Sequence, residues 1–313
     1  MSCKSFVLIG HVDHGKSTLA GRILCDVGFV TDREIEKLKA EADRNKMGSW
    51  WLSYLLDTDE HERLRGKTHQ YNMIEFEHDA SRYRLIDVPG HKQMVTEMIA
   101  GASEADIAVV VVSARNDEYI QGLSGQTLEH LLIARGMGLT DVVVAVNKMD
   151  CCDWSSEKLA QVQKVIEKHL KKLRFKTVEF CPISALTGEG VVNPREGSSL
   201  SLLSVIKNTN RSTKSVEPHK LASTDTIVVD SMFNNVDSII TLGCPLIVHY
   251  GQEIAEGTLK LIKGKPFIKS SNEVVRIAVK FSDPLLNNVV VPNVIFRSGD
   301  KTVGFGKIIN FTN

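Results

Sequence analysis

The six consecutive apolar residues 107–112 (IAVVVV) constrain this chain more than any other feature. A strand with water on one face alternates apolar and polar side chains. An unbroken β-branched run must instead be covered on both faces. Further apolar runs recur at residues 7–9, 85–86, 142–146 and, broken by Glu179, 178–183. Between them helical spacing returns, most clearly in Leu159, Val162, Ile166, Leu170 and Leu173, which share one helix face. Buried strands alternating with helices predict an α/β domain built on a doubly wound, mostly parallel sheet. Residues 71–77 (YNMIEFE) alternate instead, and predict an antiparallel edge strand.

In a sheet of that kind, ligands gather at the carboxyl ends of the strands, so the residues that follow each run decide the chemistry. Directly after the first run comes GHVDHGKST, residues 10–18. Gly10, Gly15, Lys16 and Ser17 fit G-x-x-x-x-G-K-[ST], with a helical pattern continuing over residues 19–27. Such a loop turns its backbone N–H groups around a phosphate chain at a helix N-terminus. The lysine reaches the terminal phosphates and the Ser17 hydroxyl takes a place on Mg²⁺. Val12, Asp13, His14, Gly15, Lys16, Ser17 and Thr18 are therefore candidate phosphate contacts. The His11 and His14 side chains are expected on the outer side of the loop, without a chemical role.

DVPGH (residues 87–91) follows the second run. An aspartate at the end of a neighbouring strand suits Mg²⁺ held through water, which is the role expected of Asp87. Gly90 can offer its N–H to a γ-phosphate with no side chain in the way. NKMD (residues 147–150) follows the fourth run. An ionised Asp150 only accepts hydrogen bonds, so it matches the paired N1–H and exocyclic amine of guanine and finds no such donor pair on adenine. Asn147 is expected to brace the loop, and the stem of Lys148 to lie along the base. Ser184, Ala185 and Leu186, after the fifth run, fit a companion loop that meets the guanine carbonyl by backbone N–H. With four motifs in order, each at the end of a strand, the nucleotide read from the chain is GTP or GDP, with Mg²⁺.

Taken together these motifs resemble the translational GTPases of the elongation factor 1-alpha group. SWWLSYLLDTDEHERLRGKT (residues 49–68), PGHKQMVTEMIAGASEAD (89–106) and SARNDEYIQG (113–122) are most similar to the eukaryotic class II peptide-chain release factor. Lys67 stands where elongation factors usually carry isoleucine. The resemblance implies that Thr68 belongs to a mobile segment closing over Mg²⁺ and the γ-phosphate, and that His91 orients the attacking water. It implies GTP hydrolysis that is slow unless a ribosome stimulates it. It also implies the ribosome and a class I release factor, or its rescue relative, as partners, the factor being met through the C-terminal barrel. A ribosome-rescue GTPase and a GTP-sensing adaptor with little hydrolysis are the alternatives. An aminoacyl-tRNA carrier fits least.

The pattern changes after residue 207. Residues 208–222 are polar, include Pro218 and carry no apolar period, so they read as a linker between a GTPase domain (1–207) and a second domain (223–313). That second domain shows only short β-type runs, with Val275, Ile277, Val279 and Phe281 alternating against Arg276, Ala278 and Lys280. It predicts a small all-β barrel, similar to the third domain of the translational GTPases. The middle barrel of that group finds no room in so short a linker, and tRNA delivery is not expected without it. The release factor's N-terminal extension is not expected either, the phosphate loop starting at residue 10.

Two smaller features remain. A Thr31–Glu34 capping box opens a charged helix in the long excursion after the phosphate loop, and Trp50, Trp51 and Tyr54 are expected on the buried side of a switch helix. Residues 168–174 (KHLKKLR) read as a solvated helix face. Thirty-eight basic residues balance 38 acidic ones, so bulk charge gives no drive toward nucleic acid. The six scattered cysteines form no C-x-x-C pair, and no membrane span or signal peptide is visible. A reduced, cytoplasmic protein that does not enter a membrane is expected.

Overall fold

The computed structural model describes residues 3–56, 71–90, 94–123, 125–209, 224–233, 236, 239–250, 253–269, 273–285, 293–299 and 301–312. The chain divides into two compact units, Met1–His130 with Leu139–Ser212, and Leu131–Gly138 with Thr213–Asn313.

The first unit holds a six-stranded sheet built from β1 (Lys4–Ile9), β2 (Asn72–His78), β3 (Ser81–Asp87), β4 (Ile107–Ser113), β5 (Asp141–Asn147) and β6 (Thr177–Pro182). The spatial order is β2-β3-β1-β4-β5-β6. All pairings are parallel except the edge pair β2–β3, which is antiparallel. Every residue of β4 and β5 is buried, as their unbroken apolar character predicts. Each fully buried Val, Leu or Ile contributes ~1.5–3 kcal/mol of transfer free energy, and this sheet core spends that gain on chain entropy.

Seven α-helices accompany the described strands: α1 (Lys16–Asp26), α2 (Asp32–Arg44), α3 (Val95–Glu104), α4 (Glu118–Leu123), α5 (Gln126–Gly136), α6 (Ser156–Lys172) and α7 (Leu202–Asn208). The Thr31–Glu34 capping box opens α2 as expected, with both reciprocal bonds formed. In α6, Val162, Ile166 and Leu170 are buried while Lys168, Lys171 and Lys172 are exposed, so the lysines of residues 168–174 do lie on a solvated face, with Leu170 and Leu173 turned inward. The switch-helix expectation needs correcting. Residues 48–55 form two short 3₁₀ turns, Gly48–Trp50 and Ser53–Leu55, and Trp50 is exposed where Tyr54 is fully buried. Neighbours along a 3₁₀ turn point about 120° apart, and here Trp50 is exposed while Trp51 is half-buried.

The second unit contains one closed barrel among the described residues. Its strands are β7 (Thr224–Phe233), β8 (Pro245–Tyr250), β9 (Glu253–Ile262), β10 (Val274–Leu285), β11 (Asn293–Ser298) and β12 (Lys301–Thr312). They close in the order β10-β7-β12-β11-β8-β9. The alternation in β10 holds: Val275, Ile277, Val279 and Phe281 join the core, and Arg276 pairs outside with Asp230. Phe233 and Phe296 stack at 5.6 Å at the centre.

Candidate functional site

Because β1 sits between β3 and β4, the loops after β1, β3, β5 and β6 emerge at one edge of the sheet. Register places Asp87 opposite Leu8, and Asn147 opposite Ser113. The four motifs are thereby brought to one place, from segments far apart in the chain.

The loop of residues 10–15 depends on its glycines. Gly15 caps α1 in the left-handed region, φ 91°, which an L side chain rarely adopts. Behind it Lys16 is buried, and its Nζ donates to the His11 carbonyl at 3.1 Å. Burial pushes the Lys16 pKa down to about 8, against the attraction of Asp87 and Asp13, so it remains mostly cationic at neutral pH. Gly90 faces this ammonium: a Cβ there would stand 2.5 Å from Lys16 Nζ and 3.3 Å from Val12 Cγ2. Ser17 Oγ donates to Asp87 Oδ2 at 2.8 Å, and Asp87 is fully buried at the end of β3. A hydroxyl and a carboxylate side by side are hard oxygen donors. They suit Mg²⁺, which keeps most of its waters and needs only one or two protein oxygens. Thr18 is half-buried in the first turn of α1.

Asn147 is the centre of the arrangement. It is 2% exposed; its Nδ2 donates to the His14 carbonyl at 2.9 Å and its Oδ1 accepts from Ala185 N–H at 2.9 Å. One amide thus ties the loops after β1, β5 and β6 together. Lys148, at φ 61°, donates its ammonium to the Asp13 carbonyl at 2.7 Å and to Glu118 at 2.9 Å. Against the penalty of partial burial, hydrogen bonds from Ser113, Lys148 and Arg115 hold the Glu118 carboxyl down at about 2. Asp150 is half-buried just beyond, and Ser184 is fully buried, its Oγ accepting from Thr187 N–H at 3.2 Å. Leu186 is exposed.

The placement of His14 overturns the expectation of an outward side chain. It is 1% exposed, its Nδ1 donates to the Val111 carbonyl at 3.3 Å, and His11 meets it edge-on at 5.3 Å. Asp13, at φ 63° and exposed, takes the outer position instead, and this reversal of the loop turns the next side chain inward. Burial, with His11 and Lys16 nearby, pushes the His14 pKa down to about 4. His130 on α5 is equally buried, and its Nδ1 accepts from Gly10 N–H at 3.1 Å. Burial and the charge of Lys16 take its pKa down to about 3.

Arg22, Glu118 and His130 were not singled out from the sequence. Each acts on a loop more than a hundred residues away or through an unusual backbone, such as Asn116 at φ 46° before Glu118, and no local pattern marks them. Thr68 and His91 lie outside the described residues. No disulfide joins any of the six cysteines, Cys151 and Cys152 included. Among the described residues no helix is long and apolar enough to cross a membrane.

Residues 1–242 match the model of the elongation factor Tu GTP binding domain. The elongation factor 1-alpha of Ignicoccus hospitalis is 42% identical over 198 residues, which are 61% of this chain and 45% of that protein. The eukaryotic peptide chain release factor GTP-binding subunit of Zygosaccharomyces rouxii is 42% identical over 203 residues, 61% of this chain and 30% of that one. The chain thus spans less than half the length of these relatives. In fold it is similar to the GTPase-like domain of S. cerevisiae Ski7, solved bound to GTP, with a TM-score of 0.78, 16% identity, and 98% and 97% of the two chains covered. The loops after β1, β3, β5 and β6 stand at one sheet edge within the matched residues, and the chain belongs to the family of the elongation factor Tu GTP binding domain.

Proposed function

We propose that this protein binds GTP and GDP with Mg²⁺ and hydrolyses GTP as a translation factor of the release-factor type. The observation that carries the reading is the Asn147 amide, which holds the phosphate loop to both base-facing loops. In this reading the backbone of residues 12–18 cradles the phosphates, and Lys16 neutralises their terminal charge. Ser17 and Asp87, with Thr68, hold Mg²⁺, and the Gly90 N–H meets the γ-phosphate. Asp150 accepts from guanine, the Lys148 stem covers the base, and residues 184–186 meet its carbonyl. His91 orients the attacking water.

Calorimetry with GDP, GTP, ADP and ATP tests the nucleotide. Guanine nucleotides are expected to bind at least ~100-fold more tightly, since an unmatched buried acceptor costs a few kcal/mol. Asp150→Asn should shift preference to xanthine nucleotides, and equal affinity for ATP and GTP overturns the assignment. His91→Ala should leave GDP affinity within a few-fold and remove ribosome-stimulated hydrolysis in single-turnover assays.

The finer role is supported by the sequence around residues 49–68, which resembles the class II release factor, and the one barrel among the described residues speaks against tRNA delivery. A cytoplasmic site of action goes with it. A pull-down with a class I release factor, its rescue relative and charged tRNA decides among partners. Capture of the release factor through the barrel supports termination, and capture of its relative alone supports rescue. Selective capture of charged tRNA in the GTP state refutes both.

A further inference from the structure

Recognition of guanine rather than adenine needs a donor aimed at the base's 6-carbonyl oxygen, besides the carboxylate that accepts from its other edge. The loop after β6 is the expected source of that donor, and its amides are not equivalent. Ala185 N–H is already given to Asn147 Oδ1 at 2.9 Å, and Thr187 N–H to Ser184 Oγ at 3.2 Å. Leu186 N–H makes no hydrogen bond to a described residue, and Leu186 is among the exposed apolar residues.

What fixes the direction of that amide is a side chain from another element. Arg22, two turns into α1, donates Nε to the Ala185 carbonyl at 3.2 Å and Nη2 to the Leu186 carbonyl. Its Nη1 donates to Asp26 at 3.3 Å, and the side chain is only 17% exposed. The guanidinium lies 5.9 Å from the centroid of the Trp51 ring, whose surroundings also include the Lys39 ammonium at 4.8 Å. Three nitrogens of a single rigid plane are therefore engaged, an arrangement a lysine cannot reproduce. The peptide bond is planar and trans, so the Ala185 carbonyl and the Leu186 N–H point in opposite directions. Holding the carbonyl on Arg22 fixes the N–H on the far side of that peptide, away from the guanidinium.

We infer that Arg22 is a positioning residue for base recognition, orienting the Leu186 amide toward the 6-carbonyl oxygen of guanine. The inference rests on the guanine-nucleotide reading above and adds to it the donor and the group that aims the donor. Arg22 does not touch the nucleotide; it acts through the peptide it holds.

Three nucleotides separate this role from a general loosening of the loop. GDP presents all the contacts. 6-Thioguanosine diphosphate keeps both donors for Asp150 but replaces the carbonyl oxygen with a poor acceptor. Inosine diphosphate keeps the carbonyl and loses the exocyclic amine. In Arg22→Ala, GDP affinity should fall about tenfold, the worth of one well-aimed hydrogen bond. Affinity for the thio analogue should change far less, so the preference for GDP over it collapses toward one. The GDP-to-inosine ratio, which reads Asp150, should stay at the wild-type value. Arg22→Lys, with one donor nitrogen in place of three, should fall between the two, and it carries the comparison if circular dichroism finds the alanine variant unfolded. Equal weakening toward all three nucleotides, or wild-type ratios in the lysine variant, overturns the inference. Failure of the wild-type protein to prefer GDP over ADP would instead overturn the guanine reading itself, a result visible before any variant is made.

Discussion

Polar side chains at the loop-bearing edge of the sheet and charged pairs on the barrel wall do different work. In the sheet unit, Asn147 and Asp87 are buried and bind loops that are distant in sequence. In the barrel, the pairs Arg276–Asp230 at 2.7 Å and Lys280–Asp225 at 2.9 Å lie outside, between strands already paired along their length. The difference follows from strand direction. Parallel strands deliver their loops to one edge, where backbone groups lack ladder partners and buried side chains must supply them. Antiparallel strands closed into a barrel satisfy their own backbone and leave charged side chains to solvent. Buried polar bonds in the first unit should therefore be costly to lose, and the surface pairs of the second should not.

The sharpest test of that contrast is Asn147→Ala. It strands the His14 carbonyl and the Ala185 amide together, at ~1–3 kcal/mol for each unsatisfied group. Denaturant melts should show a loss of roughly 2–6 kcal/mol on that basis, and calorimetry at least ~100-fold weaker GDP binding. Wild-type affinity in this variant would break the comparison. Phe296→Ala, which empties the barrel centre beside Phe233, should cost ~3–5 kcal/mol by the cavity it leaves, with GDP affinity within about twofold of wild type.

A smaller effect is expected from pH. The folded-state pKa values of His14 and His130, about 4 and about 3, lie below the ordinary 6.5, so the fold holds both rings neutral. Below pH 6.5 the unfolded chain takes up protons that the folded chain refuses. Stability contributed by the two neutral rings is full above pH 6.5, declines as pH falls, and levels off below about 3. Denaturation midpoints at pH 7.5 and pH 5 should show the decline. His130→Gln, which keeps an acceptor for Gly10 N–H, should make it shallower. The smallest effect is expected from Arg276→Ala. An exposed ion pair is screened by water and salt, so the melting temperature should be indistinguishable from wild type in a thermal melt.

Much of the first unit was legible because its signals are local. An apolar run such as residues 107–112 means a strand buried on both faces wherever it occurs, and Thr31 with Glu34 makes a capping box within one turn. The barrel was less legible at β9 (EIAEGTLKLI), where charges stand at three positions and the inward set, Gly257, Leu259 and then Ile262, slips by one residue at a register shift. Trp50 and Trp51 looked like one buried stripe and became two 3₁₀ turns with Trp50 exposed, because which neighbour is buried depends on where the chain next turns.

The sequence by itself determined the strands of the sheet, the four loops that end them and the order in which those loops come. Each is written in a few adjacent residues whose sterics and hydrogen-bonding capacity act over short range. Only the tertiary structure decided that His14 turns inward, that Asn147 reaches the His14 carbonyl 133 residues away, and that Arg22 holds the carbonyls of a loop 163 and 164 residues further on. Those bonds have geometry only after the sheet has set the loops side by side, and no spacing along the chain encodes a direction across it.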